Sequence, residues 1–246
     1  GVIISRYFGA KCYDRLEAAV HTDLAFAMVC GVLLTLVGIF LTPQILVWMR
    51  TPEDVLPQSI QYFRLYFMGS LFMIVYNACM GILQAVGDSR SPLRYLIISS
   101  ITNVTLDLIF VGALKWGVNG AAIATVLAQV ISLVWQFRIL SDRRELLHFR
   151  RGIYRLHAKI VRDILAIGMS PFLMNLAACF IVILINKGLK EFGGDLSIGA
   201  YGIVNRVAFF FVMVVMGLNQ GMQPIAGYNF GAQQYDRVLR VLKLTA

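Results

Sequence analysis

The sequence predicts an all-α membrane protein with six transmembrane helices. Of its 246 residues, 59% are hydrophobic and only 14% charged, against about 25% charged in an ordinary soluble domain. The apolar residues gather into runs of about 20, the length a helix needs to cross a bilayer. Backbone polar groups in hydrocarbon must be satisfied internally, and runs of this length do so as helices.

Each element follows in order. Residues 5–20, SRYFGAKCYDRLEAAV, form a basic, polar segment. The first span covers 24–42, and Pro43, Trp48 and Thr51-Pro52-Glu53-Asp54 mark an interface and a turn. The second covers 62–85 and stops at the Gly- and Pro-punctuated loop 87–92, Gly-Asp-Ser-Arg-Ser-Pro. The third covers 93–114 and the fourth 118–140. Only Lys115-Trp116-Gly117 joins them, so they are expected to be antiparallel neighbours. Small residues at the start of the fourth permit close helix packing.

Residues 141–162 differ. Leu146, Phe149, Ile153, Leu156 and Ile160 share one helical face, with Arg and Lys on the other. This predicts a basic amphipathic helix on the membrane surface, with a calmodulin-type target as the alternative. The fifth span covers 163–187 with Pro171 inside it. The sixth covers 198–223 and carries Gly217 and Gly221 at a G-x-x-x-G packing spacing. The domain reading is 1–140, a linker 141–162, and 163–246.

The net charge of +9 sits in loops, which sets membrane orientation and gives no reason to expect nucleic acid as a partner. Most of the 22 basic residues fall in 5–20, 87–94, 138–162 and 237–243, whereas the opposite loops hold Arg50, Lys115, Lys187 and Lys190. The first set is expected in the cytoplasm, with the protein multi-pass in the cell (inner) membrane. The chain begins Gly-Val-Ile-Ile, which reads as the tail of an apolar segment, so further sequence is expected at both ends.

Residues 8–15 read FGAKCYDR and residues 230–237 read FGAQQYDR. Phe, Gly, Ala, Tyr, Asp and Arg recur at matching positions, with six spans between the copies. A parallel repeat of six spans predicts two equivalent lobes related by an axis along the membrane normal.

Ser99, Asn103 and Asp107 are spaced four apart in the third span, on one helical face. Asp107 reads as the only carboxylate inside the apolar runs. Intramembrane acids are costly and normally handle ions or protons. Asp107 is expected roughly 10 Å below the outer face and Thr125 about 12 Å below it, at helical rise. Tyr62 lies at the outer start of the second span. A carboxylate, an amide oxygen and hydroxyls suit a hard monovalent cation or a held proton. Packing or interface anchoring remains the alternative for Tyr62 and Thr125.

Enzyme readings lack residues. His21, His148 and His157 have no metal-ligand spacing. There is no GxxxxGK phosphate loop. Cys12, Cys30, Cys79 and Cys179 have no C-x-x-C spacing. No cofactor and no metal is expected beyond a possible Na+ at Asp107.

Several stretches together resemble the multidrug and toxic compound extrusion (MATE) family, in particular its bacterial MepA-type branch. They are Gly87-Asp88-Ser89-Arg90-Ser91-Pro92, Asn103-x-x-x-Asp107, the run from Gly117 to Thr125, and the run from Gly217 to Ala232. The resemblance covers essentially the whole chain, as spans three to eight of a twelve-helix, two-lobe MATE/MOP-type transporter. It implies a cation-coupled antiporter, driven by H+ or Na+, that exports drugs or other organic, often cationic, compounds. In similar transporters the N-terminal lobe holds a cation or proton site, and Asp107, Asn103, Tyr62 and Thr125 fall on its matching positions. Met80 stands where many relatives carry Asn, which favours a proton. Asn175, Asn205, Arg206 and Gln220 are the candidate lining of a substrate cavity. Small organic substrates and membrane lipids are the expected partners, with a monomer at full length. A lipid-linked saccharide flippase of the same superfamily, or a membrane channel or scaffold, is the alternative. Under the orientation above, a cysteine introduced as Arg150→Cys in a cysteine-free background is labelled by an impermeant thiol reagent only from the cytoplasmic side. Labelling from outside overturns the orientation.

Overall fold

The computed structural model describes residues 1–48, 53–140 and 157–245. Eight α-helices account for nearly all of them. They are α1 (Val2–Gly9), α2 (Tyr13–Trp48), α3 (Leu56–Met68), α4 (Ser70–Ala85), α5 (Arg90–Asp107), α6 (Gly117–Leu140), α7 (Ala158–Gly231) and α8 (Tyr235–Thr245). A π-helical turn, Leu108–Ala113, continues α5. The α7 helix is broken at Gly194, whose φ of 67° and ψ of −172° no helix contains. Among the described residues, six stretches are long and apolar enough to cross a membrane: Tyr13–Trp48, Leu56–Ala85, Arg90–Ala113, Gly117–Arg138, Ala158–Leu189 and Gly199–Gly231. These are the six spans expected from the sequence. Most of the amphipathic linker reading, residues 141–156, lies outside the described residues, and its last residues, from Ala158, form the first turn of α7.

The helices α2 to α6 form one bundle. The α2 helix packs on α3 and α4, α5 on α6, and α6 also on α3 and α4. The core joins Leu16, Val20 and Leu24 of α2 to Val75, Tyr76, Cys79 and Ile82 of α4, with Tyr95 and Leu133 from α5 and α6. Gly31 and Gly38 let α2 pass against Leu71 and Phe67. The antiparallel pairing of α5 and α6 follows from the short connection, where Lys115 and Gly117 take positive φ of 54° and 57°. Phe110 stacks on Trp116 there, with centroids 5.1 Å apart.

The loop between α4 and α5 is capped from both sides. Gly87 takes φ 91°, its N–H donates to the Gln84 carbonyl, and the Asp88 N–H donates to that of Leu83. This double bond pattern closes a helix C-terminus and requires a left-handed residue. Asp88 then opens α5, because its Oδ1 accepts from the Arg90 N–H at 3.1 Å and the Ser91 N–H at 3.0 Å.

The two repeat copies are structurally equivalent. After α1, the Lys11 N–H donates to Phe8 and the Cys12 N–H to Tyr7. After α7, the Gln233 N–H donates to Phe230 and the Gln234 N–H to Asn229. Lys11 and Gln233 have φ of 54° and 58°. The copies also pack on each other, reciprocally. A Cβ on Gly9 would strike the carbonyl oxygen of Tyr228, and one on Gly231 would strike that of Arg6. Phe8 lies on the Tyr228 ring at 5.6 Å, while Arg6 lies over the Phe230 ring at 5.1 Å. Gly227 gives the same close approach to the buried Ser5 hydroxyl. This seam joins α1 to the second half of α7. By contrast, nothing lies within 4 Å of a Cβ at Gly217 or Gly221. The close helix approach expected at the G-x-x-x-G pair is made one to four turns later, where glycine meets backbone rather than empty space.

Two outcomes follow from this packing. Gly9→Val forces two backbones apart and lowers stability by about 1–3 kcal/mol, the usual range for overpacking. Gly221→Ala meets no neighbour and does not lower it. Thermal unfolding of the purified protein in detergent separates them, and a Gly9→Val variant as stable as the parent overturns the seam. Partial burial pushes the Asp88 carboxyl up. Hydrogen bonds from the Ser91 hydroxyl and the Ser91 and Arg90 amides, with the Arg94 charge, outweigh it and hold the group below its ordinary value. Its contribution is therefore full above the ordinary aspartate pKa of about 3.9 and is lost as pH falls through the lower folded value. Asp88→Ala costs about 1 kcal/mol at neutral pH. The gap between parent and variant closes in acid, as measured by denaturation at a series of pH values.

Candidate functional site

Two polar constellations lie inside the spans. The first is built by the α5–α6 pair. Asn103 and Asp107 stand one turn apart on α5, and Thr125 meets Asn103 from α6. The Asn103 Nδ2 donates to the Thr125 Oγ1 at 3.3 Å. The Thr125 hydroxyl donates in turn to the Ala121 carbonyl at 3.0 Å. That direction leaves the Asn103 Oδ1 as an unused acceptor among the described residues. One turn on, the Asp107 Oδ1 is buried without a hydrogen-bond partner among them. The helix changes at this residue. From Leu108 it widens to the π form, with the Leu114 N–H reaching back to Ile109 and the Trp116 N–H to Phe110. Single π turns recur at functional sites because they re-aim side chains and loosen the backbone ladder. No residue pattern in Leu108–Ala113 announces this turn.

Tyr62 is half-buried on α3, where its ring packs on Phe63 and Tyr66 at centroid distances of 5.6 and 6.3 Å. Met80 lies on the other half of the same span. Eighteen residues separate it from Tyr62, about 27 Å at helical rise. It is therefore no substitute for an amide oxygen beside Tyr62, and it lines the second constellation instead.

The second constellation adds an acid at the edge of the first apolar run. The α2 helix starts at Tyr13, so Asp23 lies inside a membrane-length helix. Taking the first span to begin at Leu24 placed its boundary at this charge. Asp23 is half-buried and lines a cavity of about 400 Å³ between α1, α2, α4 and both halves of α7. Asn77 and Gln84 of α4 and Gln220 and Gln223 of α7 add carboxamides to its wall. Asn77 uses its Nδ2 on the Met73 carbonyl at 2.8 Å, which keeps its Oδ1 for other donors. Of the four residues expected to line a substrate cavity, Gln220 lies on the wall of this cavity. Asn175, Asn205 and Arg206 are exposed on α7, with the Asn175 Nδ2 bonded to the Pro171 carbonyl at 2.8 Å. The signal that finds Asp23 in the sequence is its position, at the start of a long apolar run.

The family model MatE matches residues 1–109 and 167–246. The probable multidrug resistance protein YoeA of Bacillus subtilis is 29% identical over 255 residues, covering 99% of this chain and 54% of YoeA. The multidrug export protein MepA of Staphylococcus saprophyticus is 25% identical over 244 residues, again covering 99% of this chain and 54% of its own length. The solved outward-facing conformation of a multidrug resistance MATE family transporter of the MOP superfamily superposes with a TM-score of 0.92 at 21% identity, over 99% of this chain and 54% of that one. The chain thus spans about half the length of the relatives it matches. Its helices, its repeat and the family match over most of its residues agree: the chain belongs to the MatE family, whose members are membrane transporters and not enzymes.

Proposed function

We propose that this chain supplies six of the twelve spans of a cation-coupled antiporter in the inner cell membrane, which exports organic, often cationic, compounds by alternating access. The observation that carries the reading is the Asn103–Thr125 hydrogen bond, placed one turn before a buried, unpartnered carboxylate oxygen of Asp107. A buried acid without a partner is unfavourable unless something positive neutralises it. The coupling ion, H+ or Na+, does so when bound. Asp107 takes its charge, and the oxygens of Asn103, Thr125 and Tyr62 complete its surroundings. The π turn beside Asp107 lets this part of α5 adjust between the ion-bound and ion-free forms.

Coupling then follows from differential affinity. The ion favours one arrangement of the two lobes and the exported compound favours the other, so each drives the exchange of its counterpart. Relatives named as a probable multidrug resistance protein and a multidrug export protein support the substrate class.

The experiment uses the full-length transporter in proteoliposomes. Asp107→Asn keeps the shape and hydrogen bonding of a neutral acid, so it abolishes coupled efflux while the protein still folds. Efflux is driven first by a pH gradient and then by a sodium gradient at constant pH. Drive by only one of them assigns the ion. Unchanged efflux in Asp107→Asn under both gradients overturns the site.

A further inference from the structure

We propose that α5 and α6 hold between them a lane of water, through which the proton bound at Asp107 exchanges with the end of the bundle that carries loop 87–92. This rests on the Asp107 reading above and commits its coupling ion to H+.

Two polar stripes meet along one interface. On α6, Thr125, Gln129, Ser132 and Gln136 recur at steps of four, three and four, which keeps them on one helical face. On α5, Tyr95, Ser99, Asn103 and Asp107 recur every four residues. The two helices pack together as antiparallel neighbours, and the Asn103–Thr125 hydrogen bond fixes their register. At equal rise, Ser99 stands at the level of Gln129 and Tyr95 at that of Leu133. Tyr95 and Leu133 do belong to one core cluster. Gln136 lies about 16 Å beyond Thr125 and about 6 Å before the end of α6 at Leu140. The stripes thus lead from the ion site toward Asp88 and Ser91 at the start of α5, an end expected in the cytoplasm.

The chemistry of the inner half selects water. Gln136 is 0% exposed and Ser132 is 1% exposed. Neither the two amide atoms of Gln136 nor the Ser132 hydroxyl has a hydrogen-bond partner among the described residues. The Tyr76 hydroxyl of α4, buried in the same core as Tyr95 and Leu133, has none among them either. A buried carboxamide without a partner is unfavourable, and an apolar side chain of similar size avoids that cost. Hydroxyls and a carboxamide present donors and acceptors together. A metal cation would leave the Gln136 Nε2 unused and an anion its Oε1, whereas water serves both. Neighbours on a helix face stand about 5–6 Å apart, twice a hydrogen-bond length of about 2.8 Å, so one water bridges each step of the stripe. Ala124 and Ala128, both buried, place only methyl groups beside it, which leaves room. The Asp107 carboxyl gives its proton to the first water, each water passes one on, and the last releases one to solvent at loop 87–92. Asp107 is left as the carboxylate and every side chain of the stripe keeps its own protons.

The test uses the full-length transporter. X-ray radiolysis makes hydroxyl radicals from water in place, so a buried tyrosine is oxidised only where water sits beside it. Tyr95, 3% exposed, is expected to be modified at a dose that modifies the exposed Tyr235. An unmodified Tyr95 overturns the lane, and this measurement needs no variant. In proteoliposomes under a pH gradient, Gln136→Leu is expected to slow ethidium efflux about tenfold and to leave the Kd for ethidium within about twofold of the parent. Gln136→Asn keeps both polar atoms and stays within about threefold in efflux. If Gln136 only fills the core, Gln136→Leu leaves efflux unchanged, and that result overturns the lane. Two outcomes separate the lane from the site it serves. Efflux driven by sodium alone overturns the lane and leaves the Asp107 site standing. Unchanged efflux in Asp107→Asn removes the site, and the lane with it.

Discussion

The contact between backbone and glycine at the α1–α7 seam governs how the rest of the structure is arranged. Two helices can bring main chains this close only where a side chain is missing on both. Gly9 faces the Tyr228 carbonyl and Gly231 faces that of Arg6, so neither position tolerates a methyl group without separating the helices. Everything on the cavity side of this contact is set by it. The Asp23 wall and the Gln220–Pro224 wall face each other because α1 and α7 are held together just beyond them. Ring contacts of Phe8 and Phe230 add to the seam, but they follow from the approach that the glycines allow.

Two acids on membrane-length helices stand in different surroundings. Asp107 is half-buried, with one carboxylate oxygen shielded, beside one hydrogen-bonded amide–hydroxyl pair and a widened helix. Asp23 stands on a cavity wall with carboxamides and aliphatic side chains. Both are unfavourable in hydrocarbon for the same electrostatic reason. The difference lies in what their neighbours can offer to a positive charge.

Much of this was legible in the sequence. Hydropathy alone located six spans, because a membrane-crossing helix needs length and apolarity and little else. Spacing put Asn103 and Asp107 on one face, and the short Lys115–Gly117 link set α5 against α6, which is enough to bring Asn103 to Thr125. Asp23 was missed because hydropathy trims a span at its charges, whereas the helix itself runs on to Tyr13. The π turn was missed because no residue pattern in Leu108–Ala113 announces it. The glycine pair at 217 and 221 carried the familiar spacing without a neighbour to meet, whereas Gly227 and Gly231 carry the same spacing and meet Ser5 and Arg6 of α1. A motif reports which approach is sterically allowed, and the partner decides whether it is made.

The reciprocity of the seam has an evolutionary consequence. Each partner offers the other the same patch: a glycine, a carbonyl three residues earlier and an aromatic ring between them. That is the geometry of an isologous dimer contact, in which one surface serves both sides. Two separate copies of a half-length ancestor would have met through this contact with no new surface needed. Joining them into one chain then freed the two patches to diverge. Arg6 opposite Tyr228, and Lys11 opposite Gln233, are positions where the copies have already stopped being identical.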